Sequence, residues 1–206
     1  SAFAGGNAVI LKPATDTPLS SLYLVQAFLD AGLPAEAIQC ITGPGSRIGK
    51  MMASDKRIRK ITFTGSFEVG QEICKMAGLK KVTMELGGNC PTIVMPDADP
   101  EKVATALVPA GYGLSGQACI STQRAFVHES LYEEIINRLK EKLDDFVLGD
   151  PMSENTTMGP LIRESDAIQV EKSIKDAGQK GARIITGGKR NGNFIEPTIV
   201  ADVTKE

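Results

Sequence analysis

One histidine in 206 residues removes two kinds of chemistry at the outset. His128 has no partner at a useful spacing, so it supports neither a nucleophile–histidine–carboxylate triad nor a metal site. It follows a strand pattern, precedes a helix start, and reads as structural. Cysteine is sparse too. Cys40, Cys74, Cys90 and Cys119 are irregularly spaced with no C-x-x-C pair, which argues against a zinc site or a disulfide framework. They read as reduced thiols in a cytoplasmic compartment. No apolar run approaches membrane-spanning length, and no basic region followed by an apolar core opens the sequence. Charge of one sign does not accumulate. Lys and Arg number 23 against 25 Asp and Glu, and the net charge is −2. This leaves no electrostatic footprint for nucleic acid or an anionic membrane. There is no internal repeat or low-complexity tract. No initiator Met begins the chain, which ends in the charged stretch Asp202-Val203-Thr204-Lys205-Glu206, so a piece of a longer protein is expected.

What is present is an ordinary globular composition, 42% hydrophobic and 23% charged, arranged in alternation. Asn7–Lys12 reads as a buried strand stopped by Pro13. Thr17-Pro18 then reads as a helix start, with Leu19, Leu22, Tyr23, Gln26 and Leu29 on the inner face and Gly32 as terminator. Further strands are expected at Ile38–Thr42, Arg59–Thr64 and Val82–Leu86, with helices from near Ser46 and from about Ser66 to Ala77, the latter capped by Gly78. After Gly88 come a strand at Pro91–Met95 and a helix from Asp99-Pro100 that Pro109 kinks or ends. A strand at Gln123–Val127 precedes a helix capped by Ser130, with Leu131, Ile135, Leu139, Leu143 and Phe146 facing inward. A helix at Glu164–Ala177 and extended stretches at Ala182–Thr186 and Pro197–Val203 complete the pattern. Strands alternating with helices predict an α/β fold with a doubly wound parallel sheet and right-handed crossovers. A domain boundary is placed near Asn89.

Several turns carry chemistry-bearing residues. Gly43-Pro44-Gly45-Ser46-Arg47-Ile48-Gly49 joins a strand to a helix, where glycines let a backbone approach a phosphate. Any strand–helix connection uses glycine, so alone the run is weak. Phe63-Thr64-Gly65-Ser66-Phe67-Glu68-Val69-Gly70 repeats the theme, and Ser66 is placed either to cap its helix or to donate to a phosphate oxygen. Two such turns on consecutive units strengthen a dinucleotide reading. Lys12 ends the first strand, either as a solvated strand end or as a donor to ribose hydroxyls or phosphate. Cys119 is either a small buried hydrophobe or a nucleophile. Its neighbours Gly113, Gly116 and Gln117 are poor core formers and suit an exposed turn. An unperturbed thiol is only about 3% ionised at neutral pH, so a nucleophile here needs activation. Glu85 lies at the end of a strand that reads as buried, where a partly buried carboxylate suits a general base.

Lys12-Pro13-Ala14, Gly45 with Gly49, Phe63-Thr64-Gly65-Ser66, Glu85-Leu86-Gly87-Gly88 and Gly116-Gln117-Ala118-Cys119 together resemble the aldehyde dehydrogenase superfamily in order and spacing. Gly149-Asp150-Pro151, Gly159-Pro160-Leu161-Ile162 and Glu196-Pro197-Thr198 extend the resemblance over essentially the whole chain. It implies a Rossmann-like cofactor domain whose later half is residues 1–89, followed by part of a second α/β, catalytic domain in residues 90–206. It also implies NAD or NADP as cofactor and a small-molecule aldehyde as substrate. Cys119 would attack the aldehyde to give a thiohemiacetal, and hydride would pass to the nicotinamide ring. Water activated by Glu85 would then hydrolyse the thioester. Lys12 would hold the adenosine ribose, with Gly45, Gly49, Phe63, Gly65, Ser66, Val69 and Leu86 lining the cofactor. The Cys119 N–H would supply half of an oxyanion hole.

Family members are more than twice this length. The asparagine that completes the oxyanion hole lies upstream of the Lys-Pro motif, and the glutamate on the nicotinamide ribose lies downstream of the Pro-Thr motif. Neither is among these residues. Since losing one oxyanion donor costs about 10²–10³-fold, the 206 residues alone are expected to be inactive. The intact protein is expected to be a dimer or tetramer whose oligomerisation strands are absent here. Thr15 stands where many NAD-preferring members carry a glutamate that repels a 2′-phosphate, so NADP is expected to be accepted. Two alternatives stay open: a coenzyme A-acylating dehydrogenase, which generally lacks the Glu85 equivalent, and a non-catalytic module that keeps only the fold.

Overall fold

The computed structural model describes residues 2–204. Ser1, Lys205 and Glu206, and the expectations that fall on them, lie outside the described residues. The chain separates into two compact units, Ser1–Leu86 and Gly87–Glu206, where the sequence reading set a boundary at Asn89.

In the first unit, β1 (Val9–Leu11) and β2 (Ile38–Cys40) pair in parallel, with Leu11 opposite Cys40. The crossover between them carries α1 (Leu19–Asp30). Gly32 ends this helix as expected. At φ +89 it lets its own N–H reach Leu29 O and the Leu33 N–H reach Phe28 O, the paired bonds of a Schellman motif. The start differs from expectation, because no side chain caps it and Thr17 plays no such part. The inner face differs too. Val25 is buried, whereas Leu19, Leu22 and Tyr23 are exposed, Tyr23 by 74%, and Gln26 is exposed as well. Apolar side chains occupy every side of α1, so helical period alone does not select a face; docking on the strand pair selects the face around Val25.

A turn of π-helix at Gly45–Gly49 leads into the short α2 (Lys50–Ser54). Then β3 (Lys60–Gly65) and β4 (Lys81–Leu86) pair in parallel through six residues each, with α3 (Phe67–Ala77) between them. Ser66 and Gly78 bound α3 as its sequence predicts. Its buried residues Gly70, Ile73 and Ala77 follow helical spacing. A Cβ on Gly70 would fall 2.8 Å from Leu86 Cδ2, so this glycine brings the helix close to the end of β4.

In the second unit, β5 (Cys90–Val94) and β6 (Thr122–Val127) form a third parallel pair, joined through α4 (Pro100–Tyr112). Asp99 caps α4, its carboxylate accepting from Glu101 N at 3.0 Å and Lys102 N at 3.3 Å. Pro109 does not end the helix, which runs on to Tyr112. Ala104, Leu107 and Val108 are buried along the helix, which packs against α5 (Tyr132–Asp144), and this packing holds the turn that proline would otherwise open. Ile135, Ile136 and Leu143 face inward from α5. Phe146 lies beyond the helix, and Leu139 is half-buried. Ser130 is not the cap. His128 Nδ1 accepts from Ser130 N at 3.3 Å and closes a short 3₁₀ turn at Glu129–Leu131 that precedes α5.

The long α6 (Glu164–Gln179) is followed by β7 (Arg183–Thr186), then a two-residue hairpin of β8 (Arg190–Asn191) and β9 (Phe194–Ile195). β10 (Ile199–Ala201) returns antiparallel to β7. Met158, Leu161, Ala167 and Ile195 form the core here, with Tyr112 and Phe146 packed on it edge to face at 6.0 Å. The Tyr112 hydroxyl donates to Thr198 O at 2.9 Å, and burial pushes its phenol well above the usual tyrosine range. The class is α/β with parallel pairs as expected, and the described strands hydrogen-bond two by two.

Candidate active site

Three successive residues after α4 have left-handed backbone: Leu114 (φ 52), Ser115 (φ 56) and Gly116 (φ 74). For the two that bear side chains this costs roughly 1–2 kcal/mol each, so the surroundings must over-determine the conformation. They do so through the Gly159–Ile162 loop. Ser115 Oγ donates to Gly159 O at 2.8 Å, and Gln117 Oε1 accepts from Ile162 N at 3.0 Å. That loop is anchored in turn at Leu161, 3% exposed, which exchanges bonds with Asn193: Leu161 N to Asn193 O, and Asn193 Nδ2 to Leu161 O, both 2.8 Å. On the other side the turn closes with Ser121 N donating to Ala118 O, and Ser121 is buried. Cys119 is left exposed on the turn so formed. The exposed thiol follows the sequence reading, while the clasp from residues 159–162 does not appear in any local pattern. In the sequence Gln117 is a poor core former and a member of the Gly116-Gln117-Ala118-Cys119 motif, and neither feature points to its bond with Ile162. Cys90, at the start of β5, is a further neighbour: its thiol donates to Cys119 O at 3.3 Å.

Gly116 is the one position in this turn where glycine is required. Its φ is left-handed, and a Cβ there would sit 3.2 Å from Gly111 O. Gly116→Ala is expected to destabilise the second unit by about 1–2 kcal/mol, read as a lower urea midpoint for its unfolding; an unchanged midpoint would show that the turn is not held as described.

In the first unit the strand ends gather two clusters. Lys12 Nζ donates to Pro13 O at 2.6 Å and Gly43 O at 3.2 Å, and its stem lies beside Gly45. Those bonds account for two of its three N–H donors. Thr15 Oγ1 is 3.5 Å from the same Gly43 O, so Lys12, Thr15 and the glycine turn share one corner, while Gly49 faces open space. The second cluster lies at the end of β3 and β4, where Thr64 is opposite Glu85 and Gly65 opposite Leu86. The Phe63 ring covers Gly65 and occupies the place a Cβ there would take. Ser66 Oγ accepts from Val69 N at 3.4 Å, which is the capping role. A hydroxyl that accepts still has its own proton to donate, so capping and phosphate binding are not exclusive.

Glu85 is exposed, not partly buried as the sequence suggested. Among the described residues β4 pairs only with β3, and burial on a sheet comes from what covers it, not from strand character. Cys119 belongs to the second unit, and each unit places its own residues. Among the described residues no three His, Cys, Asp or Glu side chains are grouped to hold a metal, and no helix is long and apolar enough to cross a membrane.

A family model described as the aldehyde dehydrogenase family matches residues 1–206. A 3-sulfolactaldehyde dehydrogenase of Priestia megaterium is 45% identical over 205 residues, covering 100% of this chain and 43% of the relative. The NADP-dependent succinate-semialdehyde dehydrogenase of Escherichia coli is 38% identical over 207 residues, covering 98% and 43%. Among solved structures, the NADP-dependent glyceraldehyde-3-phosphate dehydrogenase of Bacillus halodurans, complexed with NADP, superposes with a TM-score of 0.92 at 38% identity. That match covers 97% of this chain and 42% of the other. The chain thus spans about 43% of the length of the curated relatives it matches.

Proposed function

Because this chain belongs to the aldehyde dehydrogenase family, we propose that the whole protein oxidises an aldehyde to a carboxylate through an acyl group carried on Cys119. The observation that carries this reading is the exposed Cys119 thiol on a turn held by the Ser115–Gly159 and Gln117–Ile162 bonds. A nucleophile held in place before substrate arrives lowers the entropic cost of attack. The Cys119 sulfur adds to the carbonyl carbon, and the Cys119 N–H stabilises the developing oxyanion. NAD or NADP, when bound, supplies the hydride acceptor. Glu85 takes a proton from the water that attacks the resulting thioester, releasing the acid and restoring the thiol.

The first unit fits such a cofactor. Lys12 keeps an N–H for a ribose hydroxyl, Ser66 keeps its hydroxyl proton, and the N-terminal end of α3 offers backbone donors and a favourable dipole to a phosphate. Gly45, Gly49, Phe63, Gly65, Val69 and Leu86 would line that surface. We assign cofactor binding to the first unit and the nucleophile to the second. The named substrates of the relatives above, sulfolactaldehyde, succinate semialdehyde and glyceraldehyde 3-phosphate, each carry an anionic group, and an anionic aldehyde is the class proposed here.

Reduction of NAD and NADP by the whole protein, with succinate semialdehyde against a neutral aldehyde of equal length, tests the reading. Turnover is expected with the anionic aldehyde and none with the 206-residue chain alone; a whole protein silent with both aldehydes would refute it. Thr15 carries no charge to repel a 2′-phosphate, so NADP is expected to be used well. Thr15→Glu is expected to lower kcat/KM for NADP by about tenfold or more relative to NAD, one charge repulsion in partial solvent. An unchanged ratio would remove Thr15 from cofactor selection.

A further inference from the structure

We infer that Cys90 is a resolving thiol for Cys119, so that a hydroperoxide converts the pair to a reversible Cys90–Cys119 disulfide. The inference rests on the reading of Cys119 as the reactive thiol and adds a modification to the same turn. Parallel pairing of β5 with β6 sets Cys90 opposite Thr122, and the turn before β6 brings Cys119 back to it. The Cys90 thiol consequently donates to the carbonyl oxygen of Cys119 itself, at 3.3 Å, across 29 residues of sequence. The two differ in accessibility, Cys119 being exposed and Cys90 half-buried. An oxidant from solvent therefore meets Cys119 first, and Cys90 meets the oxidised product. A disulfide needs the two Cα atoms within about 4.4–6.8 Å. The Cys90 sulfur, 3.3 Å from the Cys119 carbonyl oxygen, makes the two residues direct neighbours across that span.

The chemistry balances with the hydroperoxide as sole oxidant. The Cys119 thiolate attacks the O–O bond; an S–O bond forms, the O–O bond breaks, and the departing oxygen leaves as alcohol or water. Sulfur is oxidised by two electrons to the sulfenic acid and the hydroperoxide is reduced. The Cys90 sulfur then attacks the sulfenic sulfur, forming S–S and breaking S–O, and the hydroxyl leaves as water with the Cys90 proton. The nucleophile is masked, and a dithiol restores it by exchange. Without a resolving thiol the sulfenic acid stays open to further oxidation, which is irreversible at the sulfinic stage.

Peptide mapping by mass spectrometry after treating the whole protein with hydrogen peroxide tests this directly. A linked peptide joining Cys90 to Cys119 is expected, with loss of both thiols and of activity, and dithiothreitol should restore all three. Cys90→Ser should keep the untreated activity, form no linked peptide, and carry Cys119 on to sulfinic acid that dithiothreitol does not reverse. Cys119 over-oxidised in the native protein while Cys90 stays free would overturn the inference. So would a link to Cys40 or Cys74, or equal recovery of Cys90→Ser. The linked peptide is read without any aldehyde, so its absence counts against the disulfide alone. The catalytic reading fails separately, if Cys119→Ser still turns over aldehyde.

Discussion

Replacing Cys119 by serine in the whole protein is expected to reduce aldehyde oxidation by on the order of 10⁴-fold or more, the loss typical of removing a covalent nucleophile. The substitution exchanges one small exposed side chain for another on a turn whose shape is set by its neighbours. Leu114, Ser115 and Gly116 hold their left-handed backbone through bonds to Gly159 and from Ile162, none of which uses the Cys119 sulfur. Folding should therefore survive, and the first unit, to which cofactor binding is assigned and which does not contain Cys119, should keep its affinity. Turnover and cofactor affinity measured on the same preparation separate loss of chemistry from loss of structure. A serine protein within tenfold of native turnover would mean that the acyl group is carried elsewhere, or that no acyl enzyme forms.

Glu85→Gln carries the second large expectation, a fall of about 10²–10⁴-fold in steady-state turnover, the usual contribution of a general base. The amide keeps the size of the carboxylate but cannot take a proton. Glu85 is exposed, paired in register with Thr64 at the end of β4, and surface substitutions of this kind stay within about 0.5 kcal/mol in stability. In the proposed mechanism the base is needed for the second half of the reaction only. The variant should still produce one equivalent of reduced cofactor per site in the first turnover and then stall as the thioester, which acid quenching and mass measurement would detect on Cys119. Loss of that first equivalent would place Glu85 earlier in the sequence of steps; a variant with normal turnover would leave the water without its assigned base.

Features that depend on a few neighbouring residues were legible in the sequence. Ser66 and Gly78 bound α3, Asp99 opens α4 and Gly32 closes α1, because a cap is a bond between groups two to four residues apart. The three parallel pairs followed from strands separated by helices. Other expectations failed where distant partners decide. Pro109 was expected to kink or end α4; it does not end it, because the helix, with Ala104, Leu107 and Val108 buried, runs on to Tyr112. Ser130 fits the cap rule, yet the His128 ring takes the position. The apolar residues of α1 do not name their own partner, and Glu85 carries no local sign of what covers β4.

The sequence by itself determined the family, the identity of Cys119 and Glu85 as the candidate reacting groups, and the glycine turns that border them. Residue type and order are enough for that, since a thiol, a carboxylate and a residue without a Cβ are chemical facts of the chain. Only the tertiary structure decided how Cys119 is presented. The left-handed backbone of Leu114 and Ser115, the bond between Gln117 and Ile162, and the Cys90 thiol on the Cys119 carbonyl join residues 29 to 45 positions apart. Such contacts come from strand pairing and loop packing. A short stretch of sequence can favour a turn, but the strained conformation persists only when distant groups bond to it on both sides.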